Sequence, residues 1–135
     1  MISIKTPNVL IVDDETLIRT SLVEYLEDCD FVVFQAASAE VALAMMNDGL
    51  KVDVAIVDLR MPGMNGEDFI LQANVISPTT EFIIQTGSFD YRISSALEAV
   101  GVSNQYVFKK PILSLEKFES AIIGIVAAKR TGDIG

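Results

Sequence analysis

Five apolar runs of strand length recur along the chain, and the stretches between them carry apolar residues at three- and four-residue spacing. The runs predict strands near 8–12, 32–36, 53–57, 81–85 and 105–109. A first helix is expected after Asp14, with Ile18, Leu22, Tyr25 and Leu26 on one face and Arg19, Glu24, Glu27 and Asp28 on the other. Acids in its first turn suit the positive end of the helix dipole. Ser38 is placed to cap a second helix over 41–47, closed by Gly49. A third starts around Gly66-Glu67-Asp68 and must end before Ser77-Pro78, since the residue ahead of a proline disfavours helix. The fourth, roughly 91–100, pairs Ile93 with Leu97 and stops at Gly101; its serines and alanines give it few anchors, so it is expected to be the least firmly packed. In the fifth, capped by Ser114, Phe118, Ile122, Ile125 and Val126 form the inward stripe and Lys129-Arg130 complement the negative end of the dipole.

Strand and helix thus alternate five times, the mark of an α/β domain with a parallel sheet and crossover helices, an open (βα)5 arrangement. Residues 8–128 read as the domain, 1–7 as a lead-in and 129–135 as a tail or the start of a linker. A chain of 135 residues can bury a core without staples. The single Cys29 excludes an internal disulfide, and with no secretory pattern and no apolar run beyond strand length, the cytoplasm is the expected compartment and the membrane is not. A formal net charge of −9 with scattered Lys and Arg argues against direct contact with nucleic acid. Histidine is absent, so any phosphohistidine must be supplied by another molecule.

The apolar runs end on reactive side chains. Val9-Leu10-Ile11-Val12 meets Asp13-Asp14, Val54-Ala55-Ile56-Val57 meets Asp58 ahead of Leu59-Arg60-Met61-Pro62-Gly63-Met64-Asn65-Gly66, Phe82-Ile83-Ile84-Gln85 meets Thr86-Gly87, and Tyr106-Val107-Phe108 meets Lys109-Lys110-Pro111. Carboxylates brought together without a cation repel, and a hard divalent metal relieves such an oxygen-only cluster; Mg²⁺, which keeps several waters, suits two side chains and one carbonyl.

This set of motifs, from Val9 to about Ala128, resembles the receiver domain of two-component response regulators, of chemotaxis-regulator type. The resemblance implies a flavodoxin-like, doubly wound sheet in the order 2-1-3-4-5, with ligands outside the carboxyl ends of the strands. One feature of the chain fits that order independently: strand 2, which it puts at the edge, is the strand without a reactive end. The resemblance further implies Mg²⁺ on Asp14, Asp58 and the backbone carbonyl of Arg60, with Asp13 holding one of its waters. Asp58 becomes the phosphoacceptor, Lys110, with the bond to Pro111 cis as in that family, the amine that neutralises phosphoryl charge, and Thr86 the switch hydroxyl. The donor is a histidine kinase or phosphotransfer protein, the output a partner or C-terminal effector domain, and there is room for a phosphorylation-dependent homodimer. Such a domain is a signalling module that catalyses only its own phosphoryl transfer and slow dephosphorylation.

Two other classes compete. One is a degenerate receiver that docks without phosphorylation, although every required side chain is present. The other is a Mg²⁺-dependent phosphohydrolase of haloacid-dehalogenase type, whose Asp-x-Asp pattern is not met by Asp58-Leu59-Arg60. In receivers an aromatic stands three residues before the lysine. Counting back from Lys110 reaches Val107, whereas Tyr106 suits Lys109; either strand 5 carries a bulge or the aromatic relay is altered.

Overall fold

Strand-length apolar runs bounded by turn residues fold in the computed structural model as five parallel strands, and the amphipathic stretches fold as crossover helices. The structure describes residues 6–134, with side chains as far as Lys129; most of the expected lead-in and Gly135 lie outside the described residues. In chain order the elements are β1 (Asn8–Val12), α1 (Thr16–Asp28), β2 (Val32–Ala36), α2 (Ala39–Asn47), β3 (Val54–Asp58), α3 (Gly66–Ile76), β4 (Glu81–Thr86), α4 (Ser95–Ala99), a 3-10 turn (Asn104–Tyr106), β5 (Val107–Lys109) and α5 (Glu116–Ile134). The sheet order is β2-β1-β3-β4-β5, as the resemblance implied.

Because side chains alternate across a strand, each strand feeds two cores. Leu10, Val12, Ala55, Val57, Phe82 and Ile84 face α2, α3 and α4, packing on Leu43, Phe69, Ile70 and Leu97. Val9, Ile11, Val54, Ile56 and Ile83 face α1 and α5, packing on Leu22, Leu26, Phe118 and Ile122. Burial of β3 on both faces explains its unbroken apolar run.

The cap expected at Ser38 forms, and Asn65 caps the third helix in the same way. Ser38 Oγ accepts the Val41 N–H at 3.1 Å, and Asn65 Oδ1 accepts that of Asp68 at 2.9 Å. In α1, however, the helix starts at Thr16, so Glu15 is its N-cap and the first turn holds no acid; Ile18 lies in an exposed groove rather than in the core. The fourth helix is shorter than the expected 91–100. Its true start is Ser94, whose Oγ accepts the Leu97 N–H at 3.2 Å, while Tyr91 and Ile93 belong to the preceding loop. The fifth strand begins at Val107 because Asn104–Tyr106 form the 3-10 turn. Ser114 serves α5 through its carbonyl, which accepts the Lys117 N–H at 3.3 Å. Helix α5 continues through the segment 129–134, which the sequence had suggested as tail or linker.

Candidate functional site

Strand parity places the reactive side chains. Leu10 and Val12 face one core, so Asp13, the next residue, turns to the α1/α5 side. The same alternation sends Asp58, Gln85 and Lys110 to that side and leaves Thr86, Val107 and Lys109 on the side of α3 and α4. The sheet order then sets the ends of β1, β3, β4 and β5 side by side.

Asp13, Asp14 and Asp58 each offer a carboxylate oxygen, and these oxygens all lie within 4.8 Å of one another. Asp13 and Asp58 are buried while Asp14 is exposed, so the cluster is anchored in the protein and open to solvent on one side. Lys110 Nζ donates to Asp58 Oδ2 at 3.1 Å and pairs with Glu15 at 3.4 Å and Asp13 at 4.0 Å. The Lys110-Pro111 peptide is cis. Asp58 Oδ1 accepts the Arg60 N–H at 3.3 Å, which sets the Arg60 peptide beside the acid while its side chain is exposed. Gly66 supports this turn by packing: a Cβ there would stand 2.6 Å from the Asp58 carbonyl oxygen and 2.9 Å from Leu59 Cα.

The electrostatics follow from crowding. Burial is the main cause that raises the Asp13 carboxyl to about 6; the Asp58 charge adds to it, and the Glu15 backbone N–H and Lys110 oppose it. Burial alone would lower Lys110, but the hydrogen bond and charge of Asp58, with Asp13 and Glu15, outweigh it and hold the amine above its ordinary value. One ammonium among four carboxylates leaves the cluster negative, and a hard divalent cation suits such a donor set.

Thr86 is buried, and its Oγ accepts the Ser88 N–H at 3.0 Å, tying the hydroxyl to the loop after β4. That loop is held from below by the other lysine. Lys109 Nζ donates to the carbonyls of Ser88 at 3.1 Å and Tyr91 at 2.9 Å and lies 5.8 Å from the Tyr91 ring centroid. The Tyr91 hydroxyl donates to Glu67 Oε2 at 3.2 Å, and burial together with the Glu67 charge pushes its pKa up. Strand β5 carries no bulge: Ile84, Gln85 and Thr86 pair in register with Val107, Phe108 and Lys109, and the Lys110 N–H continues the ladder to the Thr86 carbonyl at 2.7 Å. Val107 therefore stands three residues before the lysine on Asp58, and Tyr106 faces the opposite core.

The sheet order, the acid cluster and the lysine on Asp58 are those of one family. A family model described as the response regulator receiver domain matches residues 9–123. The chain belongs to the response regulator receiver domain family. A solved receiver domain protein from Clostridium thermocellum superposes with a TM-score of 0.80 at 25% identity, covering 93% of this chain and 98% of that one. The chemotaxis protein CheY4 of Vibrio cholerae gives 0.78 at 27% identity over 90% and 99%. A protein-glutamate methylesterase/protein-glutamine glutaminase of Burkholderia thailandensis is 30% identical over 78% of this chain and 30% of its own length. The chain spans roughly a quarter to a third of the first curated relatives it matches. Receivers are signalling modules, and among the described residues no helix is long and apolar enough to cross a membrane.

Two features of this receiver escaped sequence reasoning. Gln85, 1% exposed, donates through Nε2 to Asp13 Oδ2 at 3.2 Å. A groove of about 540 Å³ between α1 and the start of α5 runs up to Gln85 and Lys110, walled by Leu17, Ile18, Leu22, Leu115 and Phe118. Polar interruption of a buried strand was the available signal for the first; nothing in the periodicity announced the second.

Proposed function

We propose that residues 8–128 take a phosphoryl group onto Asp58 from a histidine kinase or phosphotransfer protein, in the cytoplasm, and change the surface offered to an output partner or effector domain. The observation that carries this reading is the Lys110 ammonium 3.1 Å from Asp58 Oδ2 within a cluster of three aspartates. Asp14, Asp58 and the Arg60 carbonyl would hold Mg²⁺, with Asp13 on one of its waters; the ion supplies charge neutralisation to the equatorial phosphoryl oxygens.

The chain's own groups do the rest. An Asp58 oxygen attacks phosphorus, an O–P bond forms as the donor's N–P bond breaks, and the imidazole leaves with the bonding pair. Lys110 holds its proton and donates hydrogen bonds to the transferred group in place of the carboxylate oxygen it now contacts. Thr86 donates a hydrogen bond from its hydroxyl to a phosphoryl oxygen, which draws the Ser88 loop along. The response therefore reaches the face of α4, β5 and α5, where a homodimer of the phosphorylated form would assemble.

Intact-mass analysis with a small acyl-phosphate donor and Mg²⁺ tests this. The parent is expected to gain one phosphoryl group and Asp58→Asn none; equal gain by both overturns the assignment. A docking module without phosphorylation finds no support in the geometry, since the lysine and acids are already assembled.

A further inference from the structure

Gln85 is a buried carboxamide where the alternation along β4 calls for a core side chain, two residues beyond Ile83. Burying a primary amide is unfavourable unless it is hydrogen-bonded, and a leucine or methionine would fill the same space without that cost. Its donor explains its presence. Strand β4 lies beyond β3, so the side chain reaches over the end of β3 to Asp13 at the end of β1, roughly two strand spacings of about 4.8 Å each. Its main chain meanwhile pairs with Asp58 in register, and its carbonyl accepts the Leu59 N–H at 3.0 Å. One residue thus fixes the spacing of the two buried acids.

Asp13 is gripped on both oxygens, Oδ2 by Gln85 and Oδ1 by the Glu15 N–H at 2.9 Å, while Arg19 Nη1 donates to its carbonyl at 2.6 Å. A carboxylate has about four lone-pair sites, so two remain and their direction is set. We propose that Gln85 is a positioning residue for the metal site: its carboxamide locks Asp13 in the orientation that receives a water of a divalent cation held by Asp14 and Asp58. This rests on the reading of the cluster as a Mg²⁺ site. The role acts through Asp13, needs no contact between Gln85 and the ion, and depends on side-chain length as well as polarity.

Calorimetric titration of Mg²⁺, with the Mg²⁺ dependence of phosphorylation by a small acyl-phosphate donor, tests it. Gln85→Met keeps the volume and removes the N–H; Gln85→Asn keeps the amide and falls short of Asp13. Both are expected to weaken Mg²⁺ binding by up to about tenfold, the lower end of the cost of losing a partner behind a direct metal ligand, since Asp13 reaches the ion through a water. The Mg²⁺ concentration for half-maximal phosphorylation should rise in step, while the rate at saturating Mg²⁺ stays close to that of the parent. A merely structural glutamine would move stability in metal-free buffer and leave that split unchanged. In an Asp13→Asn background Gln85→Met should add nothing further, because the two act as one unit. Parent-like Mg²⁺ affinity in a folded Gln85→Met overturns the proposal. In the parent itself, the Gln85 side-chain amide protons, followed by NMR, should stay hydrogen-bonded as Mg²⁺ is added; their release on binding also overturns it. A parent that takes neither Mg²⁺ nor phosphate overturns the underlying reading as well, and so separates the two failures.

Discussion

The carboxyl edge of the sheet is built differently in its two halves. Around β1 and β3 the acids stand on strands whose residues are almost all buried, backed by α2 and α3 with four buried residues each. Around β4 and β5 the edge strand has three residues, α4 has five and buries one, Leu97, and the loop between carries Phe89 at 92% exposure. What holds that loop is polar: Lys109 on two carbonyls, Tyr91 on Glu67, and Asn104 Oδ1 accepting the Ile93 N–H at 3.1 Å. Apolar packing resists displacement cooperatively, whereas a few half-exposed hydrogen bonds open locally at low cost. The half that carries the acids is thus firmly packed, and the half that carries Thr86 and its loop is loosely held.

The largest expected effect breaks the rigid half. Phe69 is fully buried, edge-on to Phe82 with ring centroids 6.4 Å apart, and Phe69→Ala should cost about 3–5 kcal/mol in denaturant unfolding. Leu97→Ala should cost less than a typical buried leucine, because α4 can detach without the rest of the sheet. Equal losses at the two sites would mean that α4 is as integral as α3.

Next in size, Mg²⁺ at a hundred times its Kd should stabilise the fold by about 2.7 kcal/mol. Asp14→Ala should remove most of this gain, and Lys109→Met should leave it intact. An unchanged melting temperature with and without Mg²⁺ contradicts the metal site.

Protonation competes for the same acid. Asp13 titrates near 6 in the fold against 3.8 when unfolded, so the folded state binds the proton more tightly. The stability this confers is fully present below 3.8 and is lost as pH rises through 6; between pH 5 and 7 the metal-free protein should lose about 1 kcal/mol. Mg²⁺ favours the charged form, so its stabilising increment should grow over the same interval. Asp13→Asn should flatten the metal-free slope, and an identical slope in both proteins assigns the effect to other groups.

The architecture was legible in the sequence because apolar periodicity and strand-end acids both report the same topology. Val54-Ala55-Ile56-Val57-Asp58 carries its strand, its double-sided burial and its reactive end in five letters. The soft half was less legible for a physical reason. The extent of α4 was overestimated because Ile93 and Leu97 have helical spacing, yet the residues before Ser94 are held as loop by side chains distant in sequence, Lys109 and Asn104. The adjacent lysines were ambiguous by motif spacing, although parity from Phe108 already sends Lys110 toward Asp58 and Lys109 toward the loop. Gln85 was passed over because its partner lies 72 positions away.

The smallest effect probes what moves. Lys109 is exposed, and its two carbonyl contacts and its approach to Tyr91 together are worth under about 1 kcal/mol to global stability, as expected for a cation near a half-exposed ring. Lys109→Met should therefore barely shift the melting temperature, yet it removes the donors that tether Ser88 and Tyr91. Since the Ser88 N–H is bonded to Thr86 Oγ, a loosened loop also frees the hydroxyl. Hydrogen exchange should quicken at residues 88–94 in the unphosphorylated variant, and phosphorylation should then change those amides less than in the parent, because part of the release has already occurred. Val107 stands three residues before Lys110 and no ring on β5 faces the α4 side, so the change is expected to be read at Tyr91, the ring that the loop itself carries on that side. Exchange changes confined to α1 and α2, or none at residues 88–94, would show that the two halves of the edge are coupled by some other route.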